Sequence, residues 1–201
     1  MRLVLATANP GKAAELGEVL GAARGLEGLE LLPRPLWLPE PEENGSSLLD
    51  NARIKAREVV AATGDAAVAD DTGLEVEALA GAPGLHTARY AGDGASFDEN
   101  MAKLLTALHG VADRRARWRT VALVAFPDGH EVVAEGTCDG RITEARRGSA
   151  GFGYDPVFVP RDGDGRTLAE LDRAEKNALS HRGRAFRALA VDLAASRMRR
   201  G

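Results

Sequence analysis

The segment Thr7-Ala8-Asn9-Pro10-Gly11-Lys12 follows a short apolar run, Leu3-Val4-Leu5-Ala6, and precedes a helical pattern. Asn9 suits an N-cap, Pro10 needs no N–H partner at a first helical position, and Lys12 falls in the first turn. A helix start exposes unpaired backbone N–H groups and partial positive charge, a setting that holds phosphate. The same residues also suit an ordinary capped helix with a solvated lysine. The longer G-x-x-x-x-G-K-[ST] loop is missing, so a P-loop mechanism is not implied. Two acidic pairs come next: Asp70-Asp71, cutting off the apolar run Ala66 to Ala69, and Glu42-Glu43, in a proline-rich stretch. Adjacent carboxylates repel unless a cation or donor compensates them. Oxygen-only ligands suit Mg²⁺, which takes one or two carboxylates with waters and substrate phosphates. One carboxylate from each pair could hold such an ion; an acid-rich turn and a solvated acidic loop are the plainer readings.

Lys55 lies on the apolar stripe formed by Leu48, Ala52 and Val59, with Asn51 flanking it. A lysine there either snorkels outward or meets an anion. A third group has the makings of a base pocket. In Gly151-Phe152-Gly153-Tyr154-Asp155-Pro156, a flexible backbone carries an aromatic face and an acid. Phe152 can stack on a planar base, and Asp155 can accept from a base N–H. Lys176, His181 and Arg182 gather donors near one helix start, where they could read carbonyl oxygens; a basic, solvated helix end is the alternative.

The elements that must position these residues read as follows. A strand over Leu3–Ala6 leads into a helix marked by Ala13, Leu16, Val19 and Leu20. Residues 31–45 form an extended loop rich in proline and acid. A second helix begins near Ser46 or Ser47, where Ser47-Leu48-Leu49-Asp50 resembles a capping box, and Gly64 ends it. Ala66 to Ala69 is a short strand that stops at Asp70-Asp71. Residues 80–95 are loop-like, and Met101, Leu104, Leu105 and Leu108 mark a further helix. Thr120–Phe126 and Glu131–Thr137 form a hairpin about Pro127-Asp128-Gly129-His130. A glycine-rich loop, Gly148 to Pro156, leads into a strand at Val157–Val159. Ser180 can cap a last helix with Phe186, Leu189 and Leu193 on one side, and the arginine-rich tail after Ser196 is expected to be disordered. Hairpins mixed with β–loop–α steps give an α/β protein with a mixed sheet.

The 201 residues suffice for one domain with a substantial core, in one or two lobes. A net charge of −4 argues against a nucleic-acid partner while leaving room for a local basic pocket. Cys138 is the single cysteine, so no intrachain disulfide forms and a reducing compartment fits. The apolar run after Met1-Arg2 is too short for a signal peptide or membrane span, which makes a cytoplasmic protein the expectation.

Taken together these stretches resemble the inosine triphosphate pyrophosphatase family, hydrolases of non-canonical purine nucleoside triphosphates. The resemblance rests on Leu5 through Lys12, Glu43-Asn44-Gly45, Asp50-Asn51-Ala52 with Lys55-Ala56, and Ala69-Asp70-Asp71-Thr72-Gly73-Leu74. It continues through Gly81-Ala82-Pro83-Gly84, Thr87-Ala88-Arg89-Tyr90-Ala91-Gly92, Gly151 to Pro156, and Glu175-Lys176 with Ser180-His181-Arg182. These occur in the family's order and span nearly the whole chain. The resemblance implies a single domain over residues 1–201, with an elongated mixed β-sheet flanked by helices and a cleft between two lobes. It further implies a homodimeric, Mg²⁺-dependent enzyme that cleaves ITP, dITP or XTP to the monophosphate and pyrophosphate. By position, Thr7, Ala8, Asn9, Pro10, Gly11 and Lys12 contact the triphosphate, Glu43 and Asp71 are metal ligands, and Asp71 is also the catalytic acid/base. Thr72 contacts substrate, while Phe152, Gly153, Tyr154, Asp155, Lys176, His181 and Arg182 form the base-recognition set. Three positions depart from the family pattern: Leu48 where phenylalanine is frequent, Asp50 where glutamate is common, and Thr72 in place of serine.

The chemistry expected is attack by water at the α–β phosphate linkage, with Lys12 and Lys55 adding positive charge and Asp71 orienting or deprotonating the water. Selectivity is expected from donors that meet a purine 6-carbonyl and are left unpaired by the amine of ATP. A pyrophosphatase for other modified nucleotides and a non-catalytic nucleotide sensor are the rival readings. The intact acids Glu43, Asp70 and Asp71 speak against the sensor.

Overall fold

The computed structural model describes residues 1–200, with side chains through Met198. Its elements are β1 (Arg2–Leu5), α1 (Pro10–Gly21), β2 (Glu30–Leu32), α2 (Leu48–Thr63), β3 (Ala67–Val76) and β4 (Pro83–Gly84). They continue with α3 (Phe97–Ala107), β5 (Arg115–Ala125), β6 (Glu131–Ile142), β7 (Phe158–Pro160), α4 (Arg173–Leu179) and α5 (His181–Arg200). The strands are ordered β2-β1-β3-β5-β6-β7, with β4 beside β3. β1 runs parallel to β2 and β3, whereas β4 and β7 pair antiparallel to β3 and β6, so the sheet is mixed. This is the α/β class that the sequence implies.

Local chemistry explains where the helices start. The Asn9 side-chain oxygen accepts from the backbone N–H of Gly11 (2.9 Å) and Lys12 (3.2 Å), capping α1. Ser47 caps α2 by accepting from the Asp50 N–H at 3.1 Å, and the Asp50 carboxylate accepts from the hydroxyls of Ser46 and Ser47. α2 stops at Gly64, whose φ of 71° is the left-handed conformation that glycine adopts without steric cost.

The chain divides into two compact units. The first comprises Met1–Asp71, Thr120–Gly136 and Arg182 to the C-terminus, and here the sheet carries helices on both faces. Successive residues of a strand point to opposite faces. Leu3 and Val68 therefore pack with Leu16 and Leu20 of α1 and with Phe186, Leu189 and Leu193 of α5. Val4, Ala67 and Ala69 pack on the other face with Ala52, Ala56 and Val59 of α2. The second unit, Thr72–Arg119 and Thr137–His181, has its own core of Leu74, Val76, Met101, Leu104, Trp118, Tyr154, Phe158 and Leu168.

Three expectations need correction, and one element was missed. β3 does not stop at Asp70-Asp71 but runs through both to Val76. Each carboxylate finds cationic partners, which removes the repulsion that would have broken the strand. β5 and β6 are longer than the apolar runs suggest; exposed Arg115 and Arg117 alternate with buried Ala116 and Trp118, so the period of two begins in arginines. The last helix does start after Ser180, whose backbone is extended (φ −70°, ψ 154°), but a short helix that the sequence did not mark, α4, precedes it. The arginine-rich tail is not disordered: α5 continues through Arg200.

Glu131, at the start of β6, ties that strand to α2. Its carboxylate accepts from Arg53 Nε at 3.0 Å and pairs with Arg57 at 2.9 Å. Burial acts to raise its pKa, but the hydrogen bonds and charges of Arg53 and Arg57 outweigh burial and lower it. A lowered folded pKa means the stabilisation is complete above the ordinary glutamate value and is lost as pH falls through the folded one. Glu131→Gln should therefore lower the thermal midpoint at pH 7 by about 2–4 °C, equivalent to about 1 kcal/mol. The gap from the parent protein should narrow below about pH 4; thermal melts at pH 7 and pH 3 provide the check.

Candidate active site

In the first unit, strand alternation separates the two adjacent acids. Asp70 shares its face with Val68, toward α1 and α5, whereas Asp71 shares its face with Ala67 and Ala69, toward α2. Asp70, 3% exposed, meets Lys12 Nζ at 3.1 Å and Arg182 Nε at 3.4 Å. Arg182 also donates to Glu15 of α1 at 2.7 Å. Burial alone would raise the Asp70 pKa, but the charges of Lys12 and Arg182 hold it well below the usual carboxylate range. Burial pushes Lys12 below the ordinary lysine value; Asp70 opposes that shift, and Lys55 and Arg182 add to it. Asp70 is thus the counter-ion that keeps two cations in one buried place.

Asp71, 6% exposed, accepts from Lys55 Nζ at 2.9 Å and from the Asn51 amide at 3.1 Å. Lys55, itself buried, also donates to Glu43 at 3.2 Å, so two carboxylates converge on one ammonium. The lysine on the apolar stripe meets anions; it does not snorkel. Burial acts to lower the Lys55 pKa, yet Asp71, Glu43 and Asp70 outweigh burial and raise it. Burial raises the Asp71 pKa and Glu43 adds to that, against the pull of Lys55. Asn51 further accepts from the Gly45 N–H at 2.9 Å, which joins the Glu43 loop to α2. A Cβ on Gly45 would come within 2.7 Å of that Asn51 oxygen, so only glycine allows this approach.

The helix-start residues are placed as a turn. Thr7 Oγ1 accepts from the Asn9 N–H at 3.1 Å, Ala8 and Pro10 are exposed, and Gly11 is half-buried. Thr72 follows Asp71 in β3 and is half-buried.

The second unit gathers the aromatic residues. Asp155 Oδ2 accepts from the Phe152 backbone N–H at 2.9 Å and from Lys176 Nζ at 2.7 Å. The Lys176 ammonium also sits 4.6 Å from the centre of the Phe152 ring. Asp155 therefore shapes the Phe152 loop as well as anchoring Lys176. Gly151, at φ 76°, packs so close to that carboxylate that a Cβ would displace it. Gly153 is half-buried, also at positive φ. Tyr154 is a core residue whose hydroxyl donates to the Thr87 carbonyl at 3.0 Å. His181 is buried and stacks on Trp118, with ring centroids 4.7 Å apart and an interplanar angle of 14°.

The residues expected to act together thus fall into three sets: Lys12, Asp70 and Arg182; Lys55, Asp71 and Glu43; and Phe152, Asp155 and Lys176. Arg182, grouped with Lys176 and His181 on sequence order, is paired with Glu15 and Asp70 beside the helix start. Two residues escaped the sequence reading. Glu15 carried a faint signal, an acid one turn after Lys12 and next to buried Leu16. Trp118 was marked only by its place in the alternation of β5.

Residues 3–191 match the Ham1 family, and the chain belongs to it. A dITP/XTP pyrophosphatase of Methylococcus capsulatus is 50% identical over 200 residues, covering 96% of each chain. Among solved structures, a HAM1 protein from Coxiella burnetii is 39% identical with a TM-score of 0.85, covering 96% of this chain and 98% of that one. A nucleoside-triphosphatase / dITP/XTP pyrophosphatase from Mycobacterium abscessus is 46% identical with a TM-score of 0.72, covering 94% and 97%.

Proposed function

We propose that this protein hydrolyses non-canonical purine nucleoside triphosphates, of the ITP, dITP and XTP class, to the nucleoside monophosphate and pyrophosphate. The observation that carries the reading is buried Lys55 held between Asp71 and Glu43, in a chain half identical to a protein named dITP/XTP pyrophosphatase. Water attacks at the α–β linkage: a new O–P bond forms, the bridging P–O bond breaks, and pyrophosphate leaves. Asp71 accepts the proton of the attacking water; its raised pKa supports that role. Lys12 and Lys55 place fixed positive charge toward the phosphates, where charge builds up during transfer.

No group of three or more metal-ligating side chains occurs among the described residues. Glu43 and Asp71 nevertheless already converge on one cation, Lys55 Nζ, and are hard oxygen donors. They fit a Mg²⁺ ion that takes its remaining ligands from water and a triphosphate. When bound there, the ion would neutralise charge on the phosphate oxygens.

Base selectivity rests on Phe152 as a stacking face and Lys176 as a donor to a purine 6-carbonyl. An amine at that position is itself a donor and cannot accept from Lys176, and sites of this kind reject the wrong group by up to about 10⁴-fold. The resemblance also supports a homodimer, and the single cysteine fits a reducing, cytoplasmic setting.

A nucleotide panel with pyrophosphate detection tests the reading. Mg²⁺-dependent release from ITP, dITP and XTP should exceed release from ATP by at least about 10²-fold. Equal rates on all nucleotides would remove the selectivity assignment, and no pyrophosphate from any would remove the activity.

A further inference from the structure

Phe97 opens α3 with nearly half of its surface exposed (46%), an unusual place for a phenylalanine in a chain with so few aromatics. The helix start itself does not need it. Ser96 accepts from the Glu99 N–H at 3.2 Å and the Glu99 carboxylate accepts from the Ser96 N–H at 2.8 Å, a complete capping box. The Phe97 ring instead lies against Phe152, with centroids 6.2 Å apart and an interplanar angle of 36°. The next residue reinforces the same contact. Asp98 pairs with Arg146 at 2.6 Å, and Arg146 donates again to the Asp98 carbonyl at 3.0 Å, so α3 is clamped to the strand-exit segment that leads into the Phe152 loop.

That loop needs such support. Gly148, Gly151 and Gly153 all have positive φ, a course of backbone that glycine adopts without strain but that does not itself set the side-chain torsions of Phe152. Asp155 fixes the Phe152 N–H, but a backbone bond does not set the ring plane. The Lys176 ammonium, 4.6 Å from its centre, and the Phe97 ring both lie against the Phe152 ring.

We propose that Phe97 is a positioning residue that, with Lys176, sets the ring plane of Phe152 for stacking on the purine. This rests on the reading of Phe152 as the base-stacking residue. Phe97 need not touch substrate; it acts through Phe152. An aromatic pair of this geometry is worth about two- to tenfold in an equilibrium.

The test measures KM and kcat for dITP and ITP in Phe97→Ala, Phe97→Tyr, Phe152→Ala and the Phe97→Ala/Phe152→Ala double variant. Phe97→Ala should raise KM about three- to tenfold with kcat within about twofold. Phe97→Tyr, which keeps the ring, should restore the parent KM. In the Phe152→Ala background, Phe97→Ala should add nothing, because the residue through which it acts is gone. An unchanged KM in Phe97→Ala, or effects that add in the double variant, overturns the proposal. If Phe152→Ala itself leaves KM unchanged, the base-stacking reading fails and this inference fails with it. Thermal melts of all variants accompany the kinetics; because Phe97 is half exposed, the midpoint of Phe97→Ala should stay close to the parent.

Discussion

Replacing Asp71 with asparagine is expected to lower pyrophosphate release from dITP by about 10²–10⁴-fold, the usual contribution of a positioned general base. The substitution preserves shape while removing the charge and the proton-accepting oxygen. Folding should survive it. Lys55 keeps Glu43 at 3.2 Å as a counter-ion, and the α2 face of the strand remains packed by Ala52, Ala56 and Val59. The loss should therefore appear in kcat, with a thermal midpoint within a few degrees of the parent. Release of pyrophosphate at a near-parent rate by a folded Asp71→Asn protein would sink the assignment of Asp71 as the base. A loss of rate together with a collapse of the midpoint would instead mark Asp71 as structural.

Asp70, one residue away, predicts the opposite pattern. Asp70→Ala is expected to destabilise the fold by about 3–5 kcal/mol, the range found when one partner of a buried ion pair is removed. For a chain of this size that corresponds to roughly 6–20 °C in the thermal midpoint. The cause is the pair of cations it leaves behind. Lys12 and Arg182 both turn to Asp70, and its loss leaves Lys12 without that carboxylate while Arg182 retains Glu15 at 2.7 Å. Denaturant or thermal unfolding of Asp70→Ala and Asp71→Asn side by side is the decisive comparison. Equal midpoints would refute the division of labour between the two acids.

Much of the frame was legible because it is local. Asn9 and Ser47 cap helices through atoms two or three residues away, and Gly64 stops one by its own backbone freedom. The hairpin about Pro127 to His130 likewise depends on a turn closed within itself, Gly129 N–H to the Phe126 carbonyl. The order of motifs from Leu5 to Arg182 was enough to point to the family to which the chain belongs. Strand ends were harder. An apolar run that meets two aspartates reads as a stop, since the sequence does not show that lysines and an arginine from elsewhere will neutralise them.

The sequence alone thus determined the elements, the inventory of charged and aromatic groups, and the kind of chemistry they suit. Only the tertiary structure decided which acid does what. Once β3 passes through Asp70 and Asp71, the two-residue period of a strand sends one carboxylate toward α1 and α5 and the other toward α2. Arg182 reaches Asp70 from 112 residues away, and that contact, not its neighbourhood with Lys176 in the sequence, sets its place. A local pattern can name a charge, but the partner that compensates it is chosen by how the sheet and its helices pack.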